Sequence, residues 1–211
     1  MKVLNLYACL GGNRYLWDNC EVTAVELDPE LAKLYQERFP NDTVIVADAH
    51  QYLLDHYKEF DFIWSSPPCP THSRFNWSMK TVWNMRYPDM KLYEEIIFLD
   101  TWFEGKWVVE NVIPYYKPLI KATELGRHLY WSNFRIPKTE TRKNPELSRG
   151  TAKEILDRLI DFHGYDFRRY KGKQDVRKVG RNLVDYEVGK YIFDIARKSH
   201  DLGSVMQNEL F

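Results

Sequence analysis

Two groups in this chain have the types and settings needed for covalent chemistry. One is a cysteine held among prolines, Pro67-Pro68-Cys69-Pro70, and the other is an acid that follows an apolar run, Glu110 after Lys106-Trp107-Val108-Val109. The run Phe62-Ile63-Trp64-Ser65 has the pattern of a strand buried on both faces, and the prolines after it forbid its continuation. Reacting groups in an open α/β sheet collect just outside the carboxyl ends of the strands, so Cys69 is delivered to that edge as a candidate nucleophile. A cysteine there can equally pack as a small hydrophobe, and the residues around it must decide. An acid emerging from a neighbouring buried strand sits in a low-dielectric cleft, where its pKa rises and it can serve as a proton donor.

The elements that must position these groups are readable in chain order. Val3 to Tyr7 forms a buried strand, and Ala8-Cys9-Leu10-Gly11-Gly12-Asn13 a tight turn into a helix containing Tyr15, Leu16 and Trp17. Paired glycines allow close backbone approach to a ligand. The strand Val22 to Asp28 ends in two carboxylates, and an acid at such a tip can accept from both hydroxyls of a ribose. Asp28 with Pro29 is assigned to the cap of the helix that runs to Phe39, and Glu26 to the ligand. A third strand, Thr43 to Val46, leads to Asp48, which suits either an exocyclic amine or the cap of the helix Ala49 to His56. A further amphipathic helix covers Pro88 to Phe103. Strands alternating with helices define an α/β fold with a doubly wound, mostly parallel sheet. Acids at strands two and three without a GxGxxG turn fit S-adenosylmethionine better than a dinucleotide.

Composition sets bounds. The chain has 211 residues with 30 basic and 30 acidic side chains, enough for one domain with a sizeable core and no net charge to dictate partners. Three cysteines, an odd number, suit a reducing cytosol. No apolar run reaches membrane-span length, no signal peptide precedes the first strand, and no metal-ligand cluster is expected. Thr71 to Tyr87, rich in polar and aromatic residues, lacks helical or strand periodicity and is expected to form a loop that closes over substrate. The tail from about Lys198 to Phe211 carries no interpretable pattern.

Together these residues resemble the DNA (cytosine-5) methyltransferases. Tyr7-Ala8-Cys9-Leu10-Gly11-Gly12 is similar to the family's first motif, Glu26-Leu27 and Asp48-Ala49 to the next two, Pro68-Cys69 to the nucleophile motif and Glu110-Asn111-Val112 to the catalytic acid motif. Gly126-Arg127-His128 resembles the strand with the basic catalytic residue, and Gly180-Arg181-Asn182-Leu183-Val184 the last motif. The chain departs at Cys9, where a glycine is expected, at Pro70 in place of glutamine, and at Gly126 and His128, which stand where alternating arginines are usual. The resemblance implies that Cys69 attacks carbon 6 of a flipped-out cytosine. Glu110 would protonate nitrogen 3, Arg127 or His128 would hold the carbonyl oxygen, and carbon 5 would take the methyl group of S-adenosylmethionine. Strand alternation would turn Arg127 away from its neighbours' face. The implied cofactor contacts are Tyr7, Ala8, Leu10, Gly11, Gly12, Glu26, Leu27, Asp48, Ala49, Pro68, Asn182 and Val184.

Residues 138–181 hold thirteen Lys and Arg against seven Asp and Glu, a footprint for phosphates or an ordinary solvated surface. The expected DNA contacts are Ser73, Arg74, Arg142, Lys143, Arg168, Arg169, Lys171 and Lys173. The organisation expected is a catalytic and cofactor-binding domain at 1–137, a small basic target-recognition region at 138–178, and a C-terminal helix at 179–211 that completes the catalytic domain. The partner expected is double-stranded DNA, in the cytoplasm of a bacterial or phage-infected cell and in a restriction-modification setting. The competing expectations are an exocyclic-amine DNA methyltransferase, an RNA cytosine methyltransferase and a catalytically weak DNA-binding module.

Overall fold

The computed structural model describes residues 1–78 and 86–208, the last eight of them as helical backbone. Four short apolar segments, β1 (Lys2–Leu6), β2 (Glu21–Glu26), β3 (Thr43–Val46) and β4 (Phe62–Ser65), pair in parallel, joined by β5 (Lys106–Val112). With β6 (Thr123–Leu125) and β7 (His128–Ser132) they make one seven-stranded sheet in the order β3-β2-β1-β4-β5-β7-β6. Only β7 runs against its neighbours, because a two-residue turn at Gly126-Arg127 reverses the chain and allows no crossover. The doubly wound, mostly parallel α/β fold expected from the sequence is present.

Strand alternation divides the core. Leu4, Leu6, Ile63, Trp107 and Val109 face one way, onto α2 (Ala49–His56) and α4 (Lys91–Trp102). Val3, Phe62, Trp64 and Val108 face the other way, onto α7 (Tyr186–Asn208). The other α-helices among the described residues are α1 (Pro29–Arg38), α3 (Arg74–Ser78), α5 (Ala152–His163) and α6 (Val176–Asn182).

Two expectations are corrected. No helix follows the glycine turn: Tyr15 N–H reaches Gly12 O at 3.4 Å and Trp17 N–H reaches Arg14 O at 3.0 Å, three residues back, as in turns. The place of that helix is taken by α7, whose Gly189 lies against the Asn13 backbone and whose Phe193 stacks on Trp17 at 4.9 Å. The polar stretch after Cys69 is also not all loop. It contains α3, and Ser73 forms a β-bridge with Pro114, while residues 79–85 lie outside the described residues.

The basic segment is folded into the body of the protein. Thr151 caps α5 in a reciprocal capping box with Glu154, and Ile155, Leu159, Phe167, Tyr170 and Val179 share one apolar cluster with Leu10, Leu31 and Leu34. Arg142, expected to contact DNA, points inward. It bonds both oxygens of Asp185 (2.6 Å from Nη2), the Phe162 carbonyl (3.0 Å) and the Tyr186 hydroxyl (2.9 Å), sandwiched between the Phe162 and Tyr186 rings. A planar guanidinium suits such a site, and its role is to tie α5 to the start of α7. Replacing Arg142 by methionine leaves Asp185 uncompensated at 12% side-chain exposure. The expected cost is about 2 kcal/mol, or a melting temperature lower by roughly 4–8 °C, with DNA affinity unchanged. Thermal denaturation beside a DNA titration checks this, and the reverse pattern would return Arg142 to the surface.

Candidate active site

Where β1, β2, β3, β4 and β5 end, a single cavity of about 960 Å³ opens. Tyr7, Glu26, Leu27, Asp48, Ala49, Pro68, Cys69, Glu110, Lys171, Lys173 and Asn182, all expected from the sequence, line it.

Cys69 reaches this wall because the loop leaving β4 is pinned. Asn111 Nδ2 donates to the Pro67 carbonyl at 2.9 Å, and the Cys69 carbonyl accepts from the amides of His72 and Ser73. Asn111 is 1% exposed, so this clamp between β4 and β5 works in a dry setting where an amide hydrogen bond counts most. Burial, and then the nearby Glu110 carboxylate, push the Cys69 thiol up to about 11, while Arg127 and Lys178 pull the other way. Glu110 follows Val109, which pairs with Ser65, so the acid lies one residue beyond the end of β4. Burial drives its carboxyl up to about 7 against the lowering influence of Ser66 and Arg127. The site thus holds a thiol and a carboxyl that can pass between acid and base near neutrality.

His128 Nε2 lies 3.4 Å from Glu110 Oε1, and burial drives the imidazole down to about 3, so it meets Glu110 as a neutral ring. His128 lines the cavity. Arg127 is not among the lining residues. It sits in the turn, where strand alternation does not apply, and donates to the Arg181 carbonyl at 2.7 Å, with its charge acting on both Glu110 and Cys69.

Glu26 accepts from the Cys9 amide (2.8 Å) on one oxygen and the Asp28 amide (2.9 Å) on the other, and each oxygen keeps a lone pair. Burial raises its pKa. Asp28 caps α1 through the Glu30 amide and also accepts from the Tyr170 hydroxyl at 2.5 Å. Asp48 caps α2 through the Gln51 amide and also lines the cavity. Cys9 holds a φ of +48°, which costs a non-glycine residue about 1 kcal/mol, so the turn keeps the shape that a glycine would give it. The two glycines serve packing rather than ligand approach. A Cβ on Gly11 would strike Tyr35 and Phe39, and one on Gly12 would meet the Val184 carbonyl at 2.5 Å. Ala8, Leu10, Gly11, Gly12 and Val184 are accordingly absent from the cavity wall.

Sequence reasoning missed the polar hub beneath the cavity. Glu95 on α4 is fully buried and accepts from the Tyr7 hydroxyl (2.6 Å) and the Ser65 hydroxyl (2.6 Å), and it pairs with His50 Nδ1 (3.0 Å). The hydrogen bond to Glu95 raises the His50 pKa. The hub fixes Tyr7 and His50, both on the cavity wall. A signal for it exists in the sequence: Glu95 shares the spacing of Leu92 and Leu99, an acid on the buried face of a helix. Among the expected DNA contacts, Arg168 pairs with Asp157 and Asp166, and Arg169 with Glu37, whereas Arg74 and Lys143 are exposed and Ser73 is half-buried.

This sheet order, with one reversed strand and acids at the ends of β2 and β3, is the fold of the S-adenosylmethionine-dependent methyltransferases. The Entamoeba histolytica methyltransferase EhMeth shares it across 92% of this chain and 98% of that one, with a TM-score of 0.50 and 11% identity. Residues 1–80 match the model of the C-5 cytosine-specific DNA methylase family. Spodoptera frugiperda DNMT2, in a mutant form, is 24% identical over 53% of this chain and has a TM-score of 0.38. A putative DNA modification methyltransferase encoded within an Escherichia coli prophage is 19% identical over 56% of this chain, also with a TM-score of 0.38. This chain covers 35% and 33% of those two proteins. No curated protein sequence matches.

The residues present fit the cofactor that the fold implies. The Glu26 oxygens retain acceptor capacity toward a diol, Leu27, Ala49 and Pro68 add apolar wall, and the volume suits a nucleoside-sized ligand with room for a base beside it. Among the described residues no cluster could hold a metal ion, and no helix is long and apolar enough to cross a membrane.

Proposed function

We propose that this chain transfers a methyl group from S-adenosylmethionine to carbon 5 of cytosine in DNA. The observation that carries this reading is the convergence of Cys69, Glu110 and Glu26 on one cavity. S-adenosylmethionine, when bound, supplies an electrophilic methyl group. The Cys69 sulfur adds to carbon 6 of the ring. Glu110 delivers its proton to nitrogen 3, so that the electron pair displaced by the thiolate does not build up as charge on the ring. Carbon 5, now part of an enamine, is the carbon that takes the methyl group; loss of its hydrogen to a base then expels the Cys69 thiolate and restores the aromatic ring. The carbonyl oxygen is assigned to Arg127, whose charge acts on both groups, or to His128, which lines the cavity and also orients Glu110. No base inside a duplex can reach a buried thiol, so the target must leave the stack. Tyr7, Glu26, Leu27, Asp48, Ala49, Pro68 and Asn182 are assigned to the cofactor.

The direct test is incubation with isotopically labelled S-adenosylmethionine and cytosine-containing DNA, followed by digestion and mass spectrometry of the nucleosides. Label in 5-methylcytosine is expected. Label on an exocyclic amine, or only in RNA, would replace this reading with one of its competitors.

A further inference from the structure

Of the thirteen cations of the basic segment, Lys138, Lys143 and Lys153 are exposed and do not line the cavity, and the other ten fall into two sets. Six of its seven arginines are engaged within the chain: Arg142 with Asp185, Arg149 with Glu146, Arg158 with three backbone carbonyls, Arg168 with Asp157 and Asp166, Arg169 with Glu37, and Arg177 with Asp175. Lys171, Lys173, Lys178 and Arg181 are exposed and, among the described residues, their side chains form no ion pair, although the charge of Arg181 acts on Asp175, the partner of Arg177. All four lie on the wall of the cavity that holds Cys69.

Their placement is built rather than incidental. The Tyr170 hydroxyl donates to Asp28 Oδ2 and accepts from the Gln174 amide at 3.2 Å, closing the loop that presents Lys171 and Lys173 over the end of β2. Lys178 and Arg181 are three residues apart on α6 and so share a helical face. The same wall carries six acids, Glu26, Asp28, Glu30, Asp48, Asp89 and Glu110, and among the described residues none of them forms an ion pair with these four cations. Glu26, Asp28 and Asp48 are held by backbone amides, and Asp28 also by Tyr170.

We infer that Lys171, Lys173, Lys178 and Arg181 form a phosphate-binding lip on the cavity itself, gripping the phosphodiesters that flank the target base. This rests on the reading that DNA is the substrate and moves the main backbone contact away from Arg168 and Arg169. One phosphate needs one or two cations, whereas four spread along a loop and a helical turn suit consecutive phosphates of a strand.

The test measures binding alone, by fluorescence anisotropy of a labelled cytosine-containing duplex across a potassium chloride series. Wild type, K171Q/K173Q/K178Q, the single variant K178Q and R168Q/R169Q are compared. Each lost phosphate contact flattens the slope of log affinity against log salt by about 0.9. The triple variant is therefore expected to lose roughly 2–3 from the slope, K178Q roughly 1, and R168Q/R169Q less than about 0.5. An unchanged slope in the triple variant, or an equal loss in R168Q/R169Q, overturns the lip. So does displacement of the duplex by dCMP at equal phosphate concentration, which would mean a single-phosphate site. Calorimetric titration with S-adenosylmethionine separates the remaining source of negative charge. If the triple variant loses cofactor affinity and keeps its salt slope, the lysines hold the cofactor's carboxylate and the inference fails. Because none of these readouts needs methyl transfer, a nucleoside product other than 5-methylcytosine would defeat the proposed reaction while leaving the lip standing.

Discussion

Replacing Cys69 by serine is expected to abolish covalent retention of the protein on DNA containing 5-fluorocytosine and to lower methyl transfer by about 10⁴-fold, or ~5.5 kcal/mol of transition-state stabilisation. Fluorine at carbon 5 cannot leave as a proton does, so a cysteine adduct formed at carbon 6 is trapped after methylation and survives denaturing electrophoresis. A serine hydroxyl in this buried setting is far less acidic than a thiol held at about 11, and it offers almost no anion for the addition. The fold should tolerate the change, because the turn at this position uses the Cys69 carbonyl, bonded to the His72 and Ser73 amides, and not the sulfur. Retention by Cys69→Ser, or wild-type turnover without retention, would remove the covalent step from the mechanism.

The second large effect concerns Glu110 and pH. With the carboxyl at about 7 and the thiol at about 11, the reactive pair, a protonated acid beside a thiolate, carries the same number of protons as the dominant form between those values, a carboxylate beside a thiol. Below about pH 7 Glu110 gains a further proton and the productive fraction falls tenfold per pH unit. Above it the gain in thiolate is cancelled by the loss of protonated Glu110. The kcat/KM of the wild type should therefore rise up to about pH 7 and stay level beyond it. Glutamine at position 110 cannot deliver a proton to nitrogen 3. Glu110→Gln should lower kcat/KM by roughly 10²–10³-fold at neutrality, the range for a lost general acid. Its profile should also keep climbing tenfold per unit through pH 9, because only the thiol still titrates. An unchanged break near 7 in the variant would assign that titration to another group.

The same two residues show how far sequence can be read. Paired prolines and a following cysteine end a strand whatever the rest of the chain does, because proline has no amide to donate, and an acid after a buried strand must lie near the sheet edge. Local stereochemistry likewise placed Asp28 as a cap and set the bounds of α1 and α2 to within a residue or so. These are short-range effects. Long-range partners were out of reach. The helix expected after Gly12 is displaced by α7, some 170 residues later, and the glycines expected to face a ligand face Phe39 and Val184 instead.

The basic segment makes the contrast sharpest. Its charge was plain in the sequence, but thirteen cations look alike on paper. Only the folded chain brings Glu37 to Arg169 and Asp185 to Arg142, cancelling those charges, and leaves Lys171, Lys173, Lys178 and Arg181 over the cavity. By itself the sequence determined the succession of the first five strands along the chain and the chemical types waiting at their carboxyl ends, because hydrophobic alternation and turn stereochemistry act between near neighbours. The tertiary structure decided which of those groups meet and which charges remain unpaired. Coulomb energy and desolvation depend on distance through space, and no spacing along the chain encodes that distance.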